Sequence, residues 1–279
     1  MRTGMKRFDL RVYGWAALTA VLVSLAAPAS AQYKPRTLDD PATGEKYHIE
    51  GGADFWFPTA DMVIESEQLG IPGSQINLKR DLGLVDTRFR ALQVQLRPAR
   101  AHKLRFEYLP VTYTQSATLN QDIVFNGIKY RLGLPVNSTL EWKTYEFAYE
   151  FDFVVKNWGF VGFNLEAKYT DVQVQLASPI ASEFARARAP IPAIGGVARY
   201  YFVPNIAVTG EFNIFKIPDS IDERFNAHYV DLNIYGTVNF TNNVGVKGGF
   251  RSRDVGYLIK TDTGSLTLKG IYIGAVVRY

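Results

Sequence analysis

The sequence predicts an all-β fold: a transmembrane, antiparallel, up-and-down β-barrel of ten strands. Three observations support this prediction. Long stretches alternate between apolar and polar residues, which is the two-residue period of a strand. The connections between these stretches are alternately long and short. After the N-terminal segment no run of about 18 apolar residues occurs, so no transmembrane helix is predicted.

Residues 1–31 have the features of a secretory signal peptide. A basic start is followed by an apolar run at 15–27 and by Ala-x-Ala at 29–31, so cleavage is expected before Gln32. An uncleaved anchor helix is the alternative, but it needs about 20 apolar residues and this run is shorter. Residues 32–46 are polar with two prolines and are expected to form a flexible periplasmic segment. The barrel is assigned to residues 47–279.

Composition restricts the function. The chain has 31 Lys+Arg and 27 Asp+Glu, and without the predicted signal peptide these become 27 and 26, which is close to neutral. No basic stripe is present that could neutralise a row of phosphates, so no nucleic-acid partner is expected. With no cysteine in the chain, burial and backbone hydrogen bonds must hold the fold without disulfides.

The alternation places ten strands along the chain. It is clearest at 145–153, where aromatic residues take the odd positions and acids take Glu146, Glu150 and Asp152. Eight strands is the alternative, if the region 116–138 or the first strand is misassigned. The predicted strands are 47–57, 85–97, 103–115, 139–153, 159–175, 192–202, 206–217, 228–240, 244–259 and 265–279.

The connections fall into two classes. The longer ones are 58–84, 116–138, 176–191, 218–227 and 260–264, and the short ones are 98–102, 155–158, 203–205 and 241–243. Long loops at one end and tight turns at the other are typical of an outer-membrane barrel with both termini in the periplasm. Two loops carry further signals. Asn126-Gly127 predicts a two-residue hairpin turn, and alternation within 76–84 predicts that the neighbouring strands extend beyond the membrane.

A strand protein can cross a bilayer only as a closed barrel, because every backbone polar group needs an internal partner. The apolar face then points to lipid and the polar face points inward. We expect the inward charges to pair across strands, since isolated charges in a narrow interior are costly. The predicted inward charges are Glu50, Asp54, Arg105, Glu107, Glu146, Glu150, Glu166, Lys168, Arg199, Glu211, Asp231, Lys247 and Arg251.

The last strand ends on an aromatic residue. Ile271, Ile273, Ala275, Val277 and Tyr279 occupy one face of it, and Tyr279 suits an interfacial aromatic girdle. This ending resembles the signal that bacterial outer-membrane barrels present to their insertion machinery.

The layout of residues 47–279, with "DIVFNG" at 122–127 and "PIPAIGG" at 190–196, resembles the bacterial outer-membrane β-barrel domain families, such as small OmpA/OmpW-like barrels. The resemblance implies a fold and a location in a Gram-negative-type outer membrane. Those families share no single activity, so it implies no active site.

The expected function is non-enzymatic, with a structural or surface role and at most a narrow solute path. Ten strands lie nearer the filled interior of about eight strands than the open channel of 16 to 18. A small-solute porin is the first alternative, and a lipid-modifying or proteolytic barrel enzyme is the second. For the enzyme, only His228 is predicted at the outer rim, close in sequence to Ser220 and to acids at 219, 222 and 223. No cofactor or metal site is expected.

The expected partners are outer-membrane lipid and lipopolysaccharide, together with the insertion machinery, and the chain is expected to be a monomer. Arg186 and Arg188 fall in a predicted outer loop, where they could contact lipopolysaccharide phosphates. The alternative for both arginines is that they are simply solvated loop charges.

Overall fold

The computed structural model describes residues 42–65, 73–217, 225–259 and 262–279, so the predicted signal peptide lies outside the described residues. Ten long strands form one closed antiparallel sheet in which the last strand pairs with the first. The strands of the wall are β1 (Ile49–Glu65), β3 (Phe89–Ala99), β4 (His102–Thr118), β7 (Pro135–Lys156), β8 (Gly159–Ala177), β9 (Ser182–Val203), β10 (Ile206–Lys216), β11 (Phe225–Asn239), β12 (Val244–Ile259) and β13 (Asp262–Arg278). Three short elements, β2 (Ile76–Asn77), β5 (Ile123–Phe125) and β6 (Ile128–Tyr130), lie in the loops.

The predicted ten-stranded barrel is confirmed, and the alternative of eight strands is wrong. Most strands nevertheless run further than predicted towards the end with the long loops, whereas β3 begins at Phe89 instead of 85. β1 continues to Glu65 instead of ending at 57, and β9 begins at Ser182 instead of 192. Alternation persists in these extensions, but the face that is apolar changes, and this is why the pattern alone predicted strands that are too short.

Closure of the barrel runs along the whole length of β1 and β13. Their register extends from Glu50 opposite Arg278 to Glu65 opposite Thr263. The main chain of the C-terminal residue continues it, because the amide of Tyr279 donates to the carbonyl of Ile49 at 2.8 Å and the amide of Ile49 donates back at 3.0 Å. The first and last strands therefore leave no free edge along this seam.

Folded loops occupy the end with the long connections, here called the long-loop end. Residues predicted to extend a strand at 76–84 instead form β2 and a short helix, α1 (Leu78–Leu82). Leu78 and Leu82 are four residues apart, so one turn of helix buries both in the barrel. Asn77 caps the helix by accepting from the amide of Arg80 at 2.9 Å. Within the described ranges no helix is long and apolar enough to cross a membrane.

The predicted hairpin at Asn126-Gly127 is present and joins β5 to β6. Both residues have positive φ, 49° and 78°, as a type I′ turn requires. The hairpin is buried in the long-loop end, where Ile123 and Phe125 have no exposed surface. It is tied to the α1 loop, since the amide of Ser74 donates to the carbonyl of Val124 at 2.8 Å.

The opposite end, here called the short-turn end, is covered by residues 42–47. Part of the segment expected to be flexible, residues 42–46, is packed there instead, and the rest lies outside the described residues. The amide of Thr43 donates to the carbonyl of Pro204 at 2.7 Å, and Glu45 binds Arg97, Arg199 and Tyr201. These hydrogen bonds and ion pairs hold the segment against the end of the barrel.

Candidate functional site

The barrel interior has two layers, and the charged layer lies towards the short-turn end. All thirteen predicted inward charges point into the barrel there. They form ion pairs with one another and with charges that the prediction did not include. We call these inward charges, together with Lys103, Asp152, Arg253 and Arg278, the charged layer.

A continuous network occupies the centre of the charged layer. Arg105 contacts three carboxylates from three strands: Glu146 at 3.5 Å, Glu166 at 3.2 Å and Glu211 at 3.2 Å. Lys168 contacts two of the same carboxylates, with its Nζ 2.6 Å from Glu146 and 2.7 Å from Glu166. The pairs of Arg105 with Glu166 and Glu211 connect strands that are not neighbours in the wall, so they cross the interior and fill it.

Two arginines of β12 complete this network. Arg253 contacts Glu107 at 2.6 Å, Asp231 at 3.0 Å and Glu146 at 3.3 Å, while Arg251 makes two bonds of 3.2 Å to Glu107. Bidentate and shared arginine contacts fix both partners in position. Because all of these side chains are buried, loss of one cation would leave carboxylates without a counter-charge.

Smaller ion pairs surround the central network. Lys103 contacts Glu150 and Asp152, the latter at 2.9 Å, and Lys247 contacts Asp54 at 3.0 Å. Space for Asp54 comes from Gly274 on the adjacent strand, since a Cβ there would lie 1.9 Å from its Oδ1.

Arg278 binds Glu50 across the closing seam of the barrel, and Nη1 of the same guanidinium binds Asn239 at 2.8 Å.

The charged members that sequence reasoning missed were detectable in principle. Lys103 is two residues before Arg105, Arg253 is two residues after Arg251, and Arg278 falls on the polar face of the last strand. Each continues the inward phase of its strand. Glu45 carried no such signal, because it precedes β1 and reaches its partners only through the fold.

The outer surface around the charged layer is apolar. Phe147, Phe163 and Ile234 are 52%, 37% and 47% exposed, while Glu146 and Asp231 on the opposite face of the wall are 3% and 6% exposed. We call this outward surface the apolar belt. Its larger members are Ile49, Phe55, Phe57, Leu92, Val94, Leu96, Phe106, Tyr145, Phe147, Phe153, Phe163, Leu165, Tyr169, Ile194, Tyr200, Phe202, Ile206, Val208, Phe212, Ile214, Ile234, Val244, Val246, Phe250, Ile271, Ile273 and Val277.

The predicted C-terminal residues 271–279 lie on this belt. Ile271, Ile273 and Val277 are 60% or more exposed, Ala275 is exposed, and Tyr279 is 87% exposed. Eight strand steps of about 3.4 Å at a tilt of about 40° span roughly 20 Å, which approaches the height of about 25 Å of an outer-membrane apolar band. Tyr108 and Tyr145 stack on the outer face near its upper limit, with centroids 4.9 Å apart.

Towards the long-loop end both faces reverse, and the interior becomes an apolar layer. The same inward phase that carries Glu50 and Asp54 on β1 carries Trp56, Met62 and Ile64 above them. The strand residues of this layer are Trp56, Ala60, Met62, Ile64, Phe89, Ala91, Leu109, Val111, Tyr113, Val136, Leu140, Trp142, Val172, Val174, Leu176, Ile191, Ala193, Tyr229, Val255, Leu266 and Leu268. Leucine and isoleucine side chains of α1, β2 and the β5–β6 hairpin pack into it.

The outer face above the belt is polar, and we call it the polar collar. It includes Thr59 and Asp61 on β1, Thr112 on β4, Thr139, Glu141 and Lys143 on β7, Asp171 on β8, Arg186 and Arg188 on β9, Asp254 on β12, and Thr267 and Lys269 on β13. Arg186 and Arg188 were predicted in a loop but lie on β9, where both bind Asp171, at 2.5 Å and 3.3 Å. The hydrogen bond from Arg186 lowers the pKa of Asp171 despite some burial.

The two layers differ in the space they leave. The cavity among the central ion pairs has a volume of only about 30 Å³. The apolar layer contains a cavity of about 210 Å³ beside β9, lined by carbon-rich side chains such as Val172, Ile191, Phe215 and Leu266. The interior therefore offers no wide polar path through the charged layer.

The residues considered for catalysis are not brought together by the part of the chain that the structure describes. His228 lies on the outer face of β11, and its Nε2 is 3.9 Å from Oδ1 of Asp254. Ser220 and the acids at 219, 222 and 223 lie outside the described residues. His102 is bonded to the hydroxyl of Tyr149 at 2.7 Å near the short-turn end. Among the described residues no group of His, Asp or Glu side chains has the geometry to hold a metal ion.

Comparison with a solved outer-membrane barrel supports the fold. No family model matches the sequence, and no curated protein sequence matches it. The outer-membrane protease OmpT of Escherichia coli superposes with a TM-score of 0.54 at 8% identity, covering 87% of this chain and 100% of OmpT. The transport unit of the autotransporter AIDA-I from Escherichia coli gives a TM-score of 0.39 at 7% identity, with 98% and 99% covered. Ail of Yersinia pestis gives 0.37 at 8% identity, with 83% and 99% covered.

At such low identity, likeness to OmpT concerns the fold and not the activity. The chain therefore has the β-barrel fold of bacterial outer-membrane proteins, and its function has to be argued from its own residues.

Proposed function

We propose that this chain is an integral outer-membrane barrel whose interior is sealed, and that it acts as a structural or surface-exposed protein rather than as a porin or an enzyme. The small OmpA/OmpW-like barrels are the family that this reading fits. Both termini would then lie in the periplasm, and the polar collar would face the outside of the cell. The exposed aromatic C-terminus would serve recognition by the insertion machinery.

The observation that carries the proposal is the central network of the charged layer. Arg105, Lys168 and Arg253 reach across the interior to Glu211, Asp231 and Glu107 on distant strands and leave a cavity of about 30 Å³. The apolar belt surrounds this layer, as lipid contact requires. Residues 42–47 cover one end, while α1 and the β5–β6 hairpin fill the other.

Conductance in planar bilayers tests the sealed interior directly. The full barrel should give no stable conductance steps, because ions would have to displace buried ion pairs. Replacing two central cations together, in Lys168→Ala/Arg253→Ala, should introduce openings. Arg186→Ala on the polar collar is the matched control and should leave the recordings unchanged. Large, stable steps for the unmodified chain would favour the small-solute porin instead.

The rival enzymatic function needs its own test. His228→Ala should leave the processing of lipid A and of peptides unchanged in cells, because the imidazole has only a distant carboxylate partner on the outer face. Loss of either activity in this variant, with normal amounts of folded barrel in the membrane, would restore the enzyme reading.

A further inference from the structure

The cavity of about 210 Å³ in the apolar layer crosses the barrel wall. Its lining includes inward residues such as Val255 and Leu266 and also the outward residues Pro190 and His228. Inward and outward residues cannot line one cavity where neighbouring strands are hydrogen-bonded. They do so here because the pairing of β9 with β10 ends at Ile194 opposite Ile214.

The unpaired stretch belongs to the upper part of β9. Residues 182–193 are bonded to β8 on one side, and no strand among the described residues pairs with their other side. Ala187 and Ala189 face the cavity from this stretch, and their small side chains leave the space that the cavity occupies. Phe215 of β10 and Val255 of β12 lie on the opposite side of the gap.

The position of the gap between β9 and β10 relative to the apolar belt indicates which part of the membrane lies outside the gap. On β9 the outward face is apolar from Pro192 towards the short-turn end and carries Arg188 and Arg186 on the other side, so Pro190 lies at the change. On β11 the same change falls between Val230 and His228. The gap therefore opens at the upper limit of the belt, where acyl chains of the outer leaflet meet headgroups.

The chemistry of the lining selects the occupant. The cavity exceeds the roughly 150 Å³ that admits a benzene molecule, and its lining is nearly all carbon, so it would exclude a charged group. The exposed guanidinium of Arg188 lies just above Pro190 and shares Asp171 with Arg186, so the β9 side of the rim carries two cations for one carboxylate. An alkyl chain with an anionic head matches both features.

Building on the proposed membrane position, we propose that this cavity is a binding site for one alkyl chain of an anionic amphiphile that inserts sideways from the outer leaflet. It is a binding site and not a channel, because the charged layer closes the interior below it. The alkyl chain could belong to a membrane lipid or to a free fatty acid, and the two sources differ only in the headgroup that remains at the rim.

Photocrosslinking distinguishes an occupied cavity from ordinary lipid contact. The barrel would be reconstituted into vesicles that contain a phosphatidylglycerol with a diazirine in its acyl chain, and crosslinked sites would be mapped by mass spectrometry. A second arm would use vesicles of unlabelled lipid with a diazirine-bearing fatty acid. Crosslinks are expected at the belt and also at the inward residues Ile191, Val255 and Leu266. Inward crosslinks in one arm alone would support the site and identify the source.

Ala189→Phe fills the cavity and should abolish the inward crosslinks while those at the belt remain. Ala53→Phe, on the outward face of β1, is the matched control and should keep both. Heat-modifiable gel migration would verify folding, and the smaller Ala187→Leu would replace Ala189→Phe if that variant did not fold. Crosslinks at the belt alone in the unmodified chain, or inward crosslinks unaffected by filling, would overturn the proposal. Loss of belt crosslinks as well would instead contradict the membrane position.

Discussion

The two halves of this barrel use the same strands with opposite polarity. On β1 the inward face carries Glu50 and Asp54 near the short-turn end and Met62 and Ile64 near the long-loop end, while Phe55 and Asp61 mark the reverse change on the outward face. A strand surrounded by water buries its apolar face, and a strand surrounded by lipid exposes it. The position of the reversal therefore indicates where the surrounding medium changes.

The largest effect is expected from breaking the central network. Arg253→Met leaves Asp231 without its main counter-charge and removes one of the two arginines that bind Glu107, all in a buried site, at a cost of about 3–5 kcal/mol. Arg186→Met removes an arginine–carboxylate pair of the polar collar, where screening by solvent makes the loss of stability far smaller. Urea titration of folding into lipid vesicles, followed by gel migration, measures both. Equal costs would contradict a sealed charged layer.

The apolar layer is tested by a cavity mutation. Leu140 is 1% exposed and packs inward on β7, so Leu140→Ala should cost about 2–5 kcal/mol. The adjacent Thr139 points outward on the polar collar, and Thr139→Ala should change stability by less than about 0.5 kcal/mol. The same titration compares them. If Leu140→Ala lowered stability as little as its control, the apolar layer would not be a packed core.

A charge placed on the outer surface locates the membrane. Ile234→Arg puts a guanidinium within the apolar belt and should cost about 2–4 kcal/mol. Thr112→Arg places the same group on the polar collar, where we expect about 0–1 kcal/mol. The difference should appear in vesicles, and it should shrink in detergent micelles, which adapt to the new charge. A larger cost at Thr112 would move the boundary that the reversal indicates.

The sequence predicted the half of the barrel at the short-turn end much better than the half at the long-loop end. Alternation with aromatic residues outward identified the wall, and the inward phase identified charges such as Glu146 and Lys168. Above the reversal a two-residue period persists, but a polar outward face resembles a loop in sequence. This is why β9 was predicted to begin at 192 and not at Ser182.

Contacts distant in sequence could not be predicted either. The sequence around Leu78 and Leu82 alternates like a strand. In the structure both side chains are buried in the barrel interior, and one turn of helix brings them to the same side. The cavity beside β9 depends on where pairing with β10 ends, and no local pattern encodes that position. Glu45 likewise finds Arg199 and Tyr201 more than 150 residues away, as their hydrogen bonds show.

The smallest effect is expected at the cover of the short-turn end, since releasing residues 42–47 leaves every strand paired. Burial opposes ionisation of Glu45, but the charges of Arg199, Lys103 and Arg97 outweigh it and lower the pKa of this carboxyl from 4.5 to about 2. The ionised form thus stabilises the docked segment fully above pH 4.5, and this contribution is lost as the pH falls towards 2. Thermal midpoints in detergent should be higher for the unmodified barrel than for Glu45→Gln at neutral pH, and the difference should shrink below pH 4.5 until the two converge near pH 2. A difference that stayed constant down to pH 2, or that was absent at pH 7, would show that the Glu45 contacts do not hold this segment in place.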